Sequence, residues 1–320
     1  MRLSILIFLF MMSATNAQNQ GKKILPPKLN PGDTVAIVAT ARKNITDNLK
    51  PAIKLLESWG LKVKIGSSIG LDYNQLAGTD QQRAADLQEQ FDNPNIKAVW
   101  CVRGGYGTVR IIDKIDFTAF KKNPKWLIGF SDVTVLHNHL NNLGFASIHG
   151  LMPLNVATAS PAAVESLRKC LFGQPLQYEI PTDSESQLGA AEGEFVGGNL
   201  SILYSLLGSV SQVNCDNKIL FLEDLDEYLY HIDRMLMNLK RCGCLSKLKG
   251  VVVGGMTKMK DNEVPWGKNA NQIVAEHLEG LNIPVVFDFL AGHISDNRAL
   301  ILGAHAKLTV SKDKTVLRFD

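Results

Sequence analysis

The run Ile96-Lys97-Ala98-Val99-Trp100-Cys101-Val102 places apolar side chains on both faces of any strand it forms, so both faces must be covered. A strand covered on both sides belongs in a parallel sheet, and parallel neighbours need a long crossover, usually a helix. The flanking sequence supplies such crossovers. Residues 33–40 read as a first apolar strand, 45–59 as a helix closed by Gly60, and 61–65 as a second strand. A charged helix over 80–91 precedes the 96–102 strand, and further strands follow at 126–130 and 145–148. This alternation predicts an α/β layer with a mostly parallel sheet.

After a helix at 162–172, the stretch 174–193 is rich in Pro, Ser, Gln and Asp without a clear period and reads as a linker. Beyond it, residues 195–199 lead a helix to Leu207, followed by a strand at 219–222 and a long helix at 228–245. Strands at 250–253 and 285–288 flank a helix at 269–281, and 307–310 with 315–319 read as a terminal β-ribbon. No internal repeat is evident. The expected organisation is a signal peptide (1–17), an N-terminal domain (18–173), a linker (174–193) and a smaller C-terminal α/β domain (194–320). A 320-residue chain with 45% hydrophobic residues has enough apolar material for two domains.

Met1-Arg2, the apolar run 3–12 and the small residues ending at Ala17 follow the layout of a secretory signal cleaved after Ala17. That run is short for a membrane span, and no later stretch is long and apolar enough, so no transmembrane segment is expected after signal removal. The net charge of +3 is spread along the chain, which argues against nucleic acid as a partner. Five cysteines (101, 170, 215, 242 and 244) allow at most two bridges. Cys242-Gly243-Cys244 resembles half a metal site, but nothing nearby completes it, and no metal is expected.

Polar residues stranded at strand ends carry the chemistry. Trp126-Leu127-Ile128-Gly129-Phe130 runs straight into Ser131-Asp132 and an amphipathic segment, so Ser131 sits on a strand-to-helix corner. There a hydroxyl projects above the sheet while the first free amides of the helix point at whatever is bonded to it. Serine and aspartate also cap helices, so this stretch alone leaves cap and nucleophile both open. Arg103-Gly104-Gly105-Tyr106-Gly107 follows the 96–102 strand, and its glycines let amides approach an anionic oxygen. The spacing fits neither a dinucleotide fingerprint nor a Walker loop. Glu223 and Asp224 end the apolar strand 219–222, where an acid can orient an imidazole or start a helix. His293 lies in a polar loop after the 285–288 strand, and His149, also at a strand end, is the competing base. A serine needs a neutral imidazole to take its proton and an acid to fix the imidazole tautomer. Ser131, His293 and Glu223 fit those roles. Val133 stands where an α/β-hydrolase elbow has its second glycine, so the chain is not of that family.

In order along the chain, 102–107 (VRGGYG), 129–132 (GFSD), 221–224 (FLED) with Asp233-Arg234, and 292–297 (GHISDN) resemble the LD-carboxypeptidases, the muramoyltetrapeptide carboxypeptidases. The resemblance covers nearly the whole chain after the leader, from Pro31 to about Leu308. It implies a Rossmann-like N-terminal domain, a C-terminal domain and an active site between them. It further implies a serine peptidase, without metal or cofactor, that cuts the L-to-D bond releasing terminal D-alanine from peptidoglycan tetrapeptide stems. Ser131 would be nucleophile, His293 general base and Glu223 its orienting acid. The oxyanion hole would use the Asp132 amide and one from the Gly104-Gly105 turn. Arg103, Tyr106 and Asn199 are the substrate-binding candidates. The implied partner is a muropeptide, a homodimer is allowed, and the leader places the protein in the periplasm. The chain departs from many relatives at Ala39-Thr40-Ala41, where they carry Pro-Ser, and over 299–303, which lacks their proline. Two other readings stand beside this one: a microcin C immunity-type peptidase, with Trp266 as nucleotide-stacking candidate, and a non-catalytic periplasmic muropeptide-binding protein.

Overall fold

The structure is a computed structural model that describes residues 23–44 and 46–320. The leader expected at 1–17 lies outside the described residues. The first half carries β1 (Thr34–Val38), α1 (Lys50–Ser58), β2 (Lys62–Ile65), α2 (Asp80–Asp92), β3 (Ile96–Cys101), α3 (Thr118–Lys122), β4 (Trp126–Gly129), α4 (Thr134–Asn142), β5 (Ser147–His149) and α5 (Pro161–Leu171). The second half carries β6 (Gln177–Pro181), β7 (Gly189–Asn199), α6 (Leu200–Ser205), β8 (Ile219–Leu225), α7 (Leu229–Arg241), β9 (Gly250–Thr257), α8 (Ala270–Leu278), β10 (Val285–Val286), β11 (Leu300–Leu302), β12 (His305–Val310) and β13 (Lys314–Phe319).

The first sheet runs β11-β5-β4-β3-β1-β2, with every pair parallel except β11 on β5. β3 is central and, Lys97 apart, fully buried, as its apolar run requires. Strand order reverses between β1 and β3. In such open sheets the loops leaving the carboxyl ends of those two strands part and leave a crevice. The loop after β1, the glycine turn after β3 and Ser131 after β4 all emerge at that edge.

The second sheet runs β10-β9-β8-β7-β12-β13-β6, parallel from β10 to β7 and antiparallel from there on. β12 and β13 are the ribbon expected at the C-terminus. α7 is shorter than the helix expected over 228–245, because Gly243 takes a left-handed conformation (φ 81°) just beyond its end. Cys215 and Cys244 form a disulfide that ties the approach to β8 to the turn after α7. Among the described residues, no helix is long and apolar enough to cross a membrane.

Two expectations about the domains are corrected. The segment 174–193 forms β6 and the first half of β7. Tyr178 and Ile180 point inward while Gln177, Glu179 and Pro181 face out, a two-residue period too brief to stand out among polar neighbours. Proline is tolerated there because β6 is an edge strand. Nor are the halves separately built. Residues 300–302, assigned to the C-terminal domain, return to the first sheet as β11, and one apolar core holds Trp100 and Ile148 together with Phe221 and Phe289.

Candidate active site

Ser131 follows β4 with only Phe130 between them and has φ 63°, a left-handed conformation that costs a non-glycine residue about 1–2 kcal/mol. Ser131 is the first residue of the helical turn that begins here, and the N-cap position falls to Phe130. The helix-cap reading of Ser131 therefore loses its support. A strained corner that lifts the hydroxyl off the sheet is what a nucleophile elbow requires.

Gly104 lies against this corner. A Cβ built on Gly104 would stand 3.0 Å from Ser131 Oγ and 3.2 Å from the Asp132 amide nitrogen. The missing methyl thus leaves a cradle beside both the hydroxyl and a backbone donor. The Asp132 side chain turns the other way, is buried, and accepts a 2.8 Å hydrogen bond from the Thr108 amide. Burial pushes its carboxyl up, partly offset by the Thr108 hydrogen bonds and the charges of Arg83 and Arg42.

The candidate acid and base come from the second sheet. Glu223 ends the apolar part of β8, is completely buried, and accepts a 2.6 Å hydrogen bond from His293 Nδ1. A carboxylate can only accept, so Nδ1 carries the proton and Nε2 is left for Ser131 or substrate. Burial alone lowers the His293 pKa. The Glu223 carboxylate, by charge and by hydrogen bond, with Asp224 behind it, outweighs burial and raises it above the ordinary imidazole value of 6.5. Gly292 (φ 105°) makes the approach possible, since a Cβ there would lie 2.8 Å from Glu223 Cβ and 2.9 Å from its Oε2. The loop is pinned by Gly292 N donating to Asn297 Oδ1 (2.8 Å) and by Thr257 Oγ1 donating to the His293 carbonyl (3.3 Å).

The two halves meet where the imidazole of His293 packs edge-on against Phe130, the residue before Ser131, at 4.9 Å between ring centroids. Gly198 at the end of β7 packs on Thr134 of α4, where a Cβ would stand 2.6 Å from Oγ1. Ser131 and His293 form no hydrogen bond with each other; nucleophile and base commonly close that gap only around substrate.

The other candidates fall into place around this pair. His149 is fully buried, with neither ring nitrogen bonded among the described residues, and burial holds its pKa well below the ordinary value. It has no access to a substrate. His137 is also buried, donating through Nε2 to Gly129 O (2.9 Å) and accepting at Nδ1 from Ser147 (2.8 Å). Arg103 donates to the Lys43 carbonyl (3.1 Å), and Tyr106 stands exposed on the glycine turn. Asn199 is occupied within the protein: Nδ2 donates to Asp224 (2.9 Å), while Oδ1 caps α6 through Ile202 N (3.2 Å). Its role here is to cap and tether. Trp266 lies on the surface in a groove with Tyr204, Tyr230 and Arg234.

Sequence reasoning named Asp224 with Glu223 at this strand end and gave it no separate role. It is buried beside Glu223, and burial and that neighbouring charge push its carboxyl up to about 7. It accepts hydrogen bonds from Asn199 Nδ2 and Ser201 N and so ties the end of β8 to the start of α6. The signal was an acidic pair inside a strand whose opposite faces are both covered, leaving two carboxylates to be satisfied separately.

Comparison with known proteins decides the family. The model of the LD-carboxypeptidase N-terminal domain matches residues 35–150, and that of the LD-carboxypeptidase C-terminal domain matches 192–308. The chain belongs to the LD-carboxypeptidase family. It is 35% identical to a probable murein peptide carboxypeptidase of Bacillus subtilis over 91% of this chain and 93% of that one. It is 32% identical to a murein tetrapeptide carboxypeptidase of Pseudomonas aeruginosa over 86% and 92%. The crystal structure of a muramoyltetrapeptide carboxypeptidase from Oxalobacter formigenes superposes with a TM-score of 0.81 at 28% identity, covering 89% of this chain and 98% of that one. This member of the family is thus a serine-type carboxypeptidase with the two-domain α/β fold of its relatives.

Proposed function

We propose that the protein removes the terminal D-alanine from muropeptide tetrapeptide stems, cutting the L-to-D bond through an acyl-enzyme on Ser131. The observation that carries this reading is the strained Ser131 beside the Gly104 cradle, with the buried Glu223–His293 pair packed on the adjoining Phe130. Names of relatives that act on murein peptides support the substrate class.

In this reading Ser131 Oγ attacks the carbonyl carbon of the penultimate residue while His293 Nε2 takes the hydroxyl proton. The carbonyl oxygen gains a negative charge and moves into the space between the Asp132 amide and the Gly104-Gly105 turn. Each such donor is worth about 2.7–4 kcal/mol to the transition state. Collapse breaks the C–N bond, and the imidazolium returns its proton to the departing amine of D-alanine. Water, deprotonated by the same imidazole, then cleaves the ester and restores Ser131. Glu223 holds the tautomer that leaves Nε2 facing the reaction.

We also propose that the protein acts outside the inner membrane, on the strength of the leader. The Cys215–Cys244 disulfide supports this, because such bonds persist in oxidising compartments.

Mass spectrometry of a purified disaccharide tetrapeptide incubated with the protein tests the reading. Conversion to the tripeptide with free D-alanine is expected. An unchanged tetrapeptide would overturn it: cleavage of a microcin C-type peptidyl nucleotide instead would favour the immunity reading, and binding without cleavage the binding-protein reading.

A further inference from the structure

The charged helix α2 holds a residue the chemistry above does not use. Arg83 is completely buried, an unusual position for a guanidinium. Its Nη1 donates to the carbonyls of Thr40 (2.7 Å) and Gly107 (2.9 Å), and its Nε to that of Gly78 (3.4 Å). Nη2 pairs with Asp80, which Arg110 grips in turn through Nε (2.9 and 3.0 Å) and Nη2 (2.7 Å). Gly107 is shaped to this contact, since a Cβ there would stand 2.7 Å from Arg83 Nη1.

Thr40 follows β1 and Gly107 follows β3, so Arg83 clasps the two loops on either side of the strand-order reversal. A second set of bonds joins the same loops to the nucleophile corner. Thr108 N donates to Asp132 Oδ2 (2.8 Å), and Thr108 Oγ1 donates to Thr40 Oγ1 (3.0 Å), with all three residues buried. Asp132 thus offers its amide to the reacting oxygen and uses its carboxylate to hold the opposite turn at the right distance. An anchor serving stability alone would have no reason to converge on the turns that supply the oxyanion donors.

We propose that Arg83 and the Asp132 side chain are positioning residues that lock the 104–108 turn against the Ser131 corner, so that its amide and that of Asp132 converge on one oxygen. The proposal rests on the functional reading above. Misplacement of a catalytic group by about 1 Å costs about 100-fold in rate.

The test compares wild type, Asp132→Ala, Asp132→Asn and Arg83→Met with a disaccharide tetrapeptide as substrate, following kcat, KM, the affinity for tripeptide product and thermal stability. Asp132→Ala should lower kcat about 10- to 100-fold, with KM and product affinity nearly unchanged, because the turn sets the fate of the transition state and not of the ground state. Asp132→Asn, which keeps an oxygen for the Thr108 amide, should recover most of that loss. Arg83→Met should repeat the Asp132→Ala pattern; if it does not fold, the Asp132 pair decides. The proposal is overturned if Asp132→Ala keeps the wild-type kcat, or if kcat, product affinity and stability fall together and Asp132→Asn does no better. A wild type that releases no D-alanine would instead sink the functional reading, and the positioning role with it.

Discussion

Ser131 and Glu223 hold the most informative side chains. The left-handed, half-buried Ser131 carries backbone strain of about 1–2 kcal/mol. Ser131→Gly removes that strain and adds about 0.5–1 kcal/mol of unfolded-chain entropy, so it should be more stable than Ser131→Ala by up to about 1.5 kcal/mol in urea denaturation. A less stable glycine variant would mean that the corner is not strained. Glu223→Gln bears on pH. His293 must be neutral to act as base, and its raised pKa puts the acid limb of kcat/KM above pH 6.5. Without the Glu223 charge, burial dominates, so the limb should move to lower pH while the rate falls about 1,000- to 10,000-fold. Stability runs the other way. The charged pair contributes most below the unfolded imidazole pKa of about 6.5 and fades as pH rises through the raised folded value. Both residues were legible in sequence because each is a polar group at the end of an apolar strand. Arg83 was not, because an arginine in a charged helix ordinarily faces water.

At the scale of elements, the β3 strand and its glycine turn decide whether the corner works. Gly104→Ala puts a methyl into the cradle, 3.0 Å from Ser131 Oγ and 3.2 Å from the Asp132 amide. The variant should lose about 100- to 1,000-fold in kcat, comparable to removing an oxyanion donor, with about 1–3 kcal/mol of stability lost to overpacking. Wild-type kcat in this variant would place the oxyanion site elsewhere. The parallel strands of the first sheet, β1 to β5, were readable because each pairs with near neighbours in sequence and is covered by its own crossover helix. β6 and β11 were not, since their partners, β13 and β5, lie about 135 and 150 residues away and their own patterns are short.

For the whole molecule, neither sheet contains a complete site. In the proposed mechanism the first supplies the nucleophile and the oxyanion donors and the second the acid and base, and the shared core around Trp100, Phe221 and Phe289 fixes one sheet against the other. A linker and two independent domains would have left that geometry loose. β11, returning from the second half to the edge of the first sheet, stitches the halves together just after the His293 loop. The release of D-alanine from a disaccharide tetrapeptide by wild type and by Ser131→Ala tests the central claim most directly. The account predicts steady release by wild type and none by a Ser131→Ala protein with the same melting temperature. Undiminished release by Ser131→Ala would contradict it.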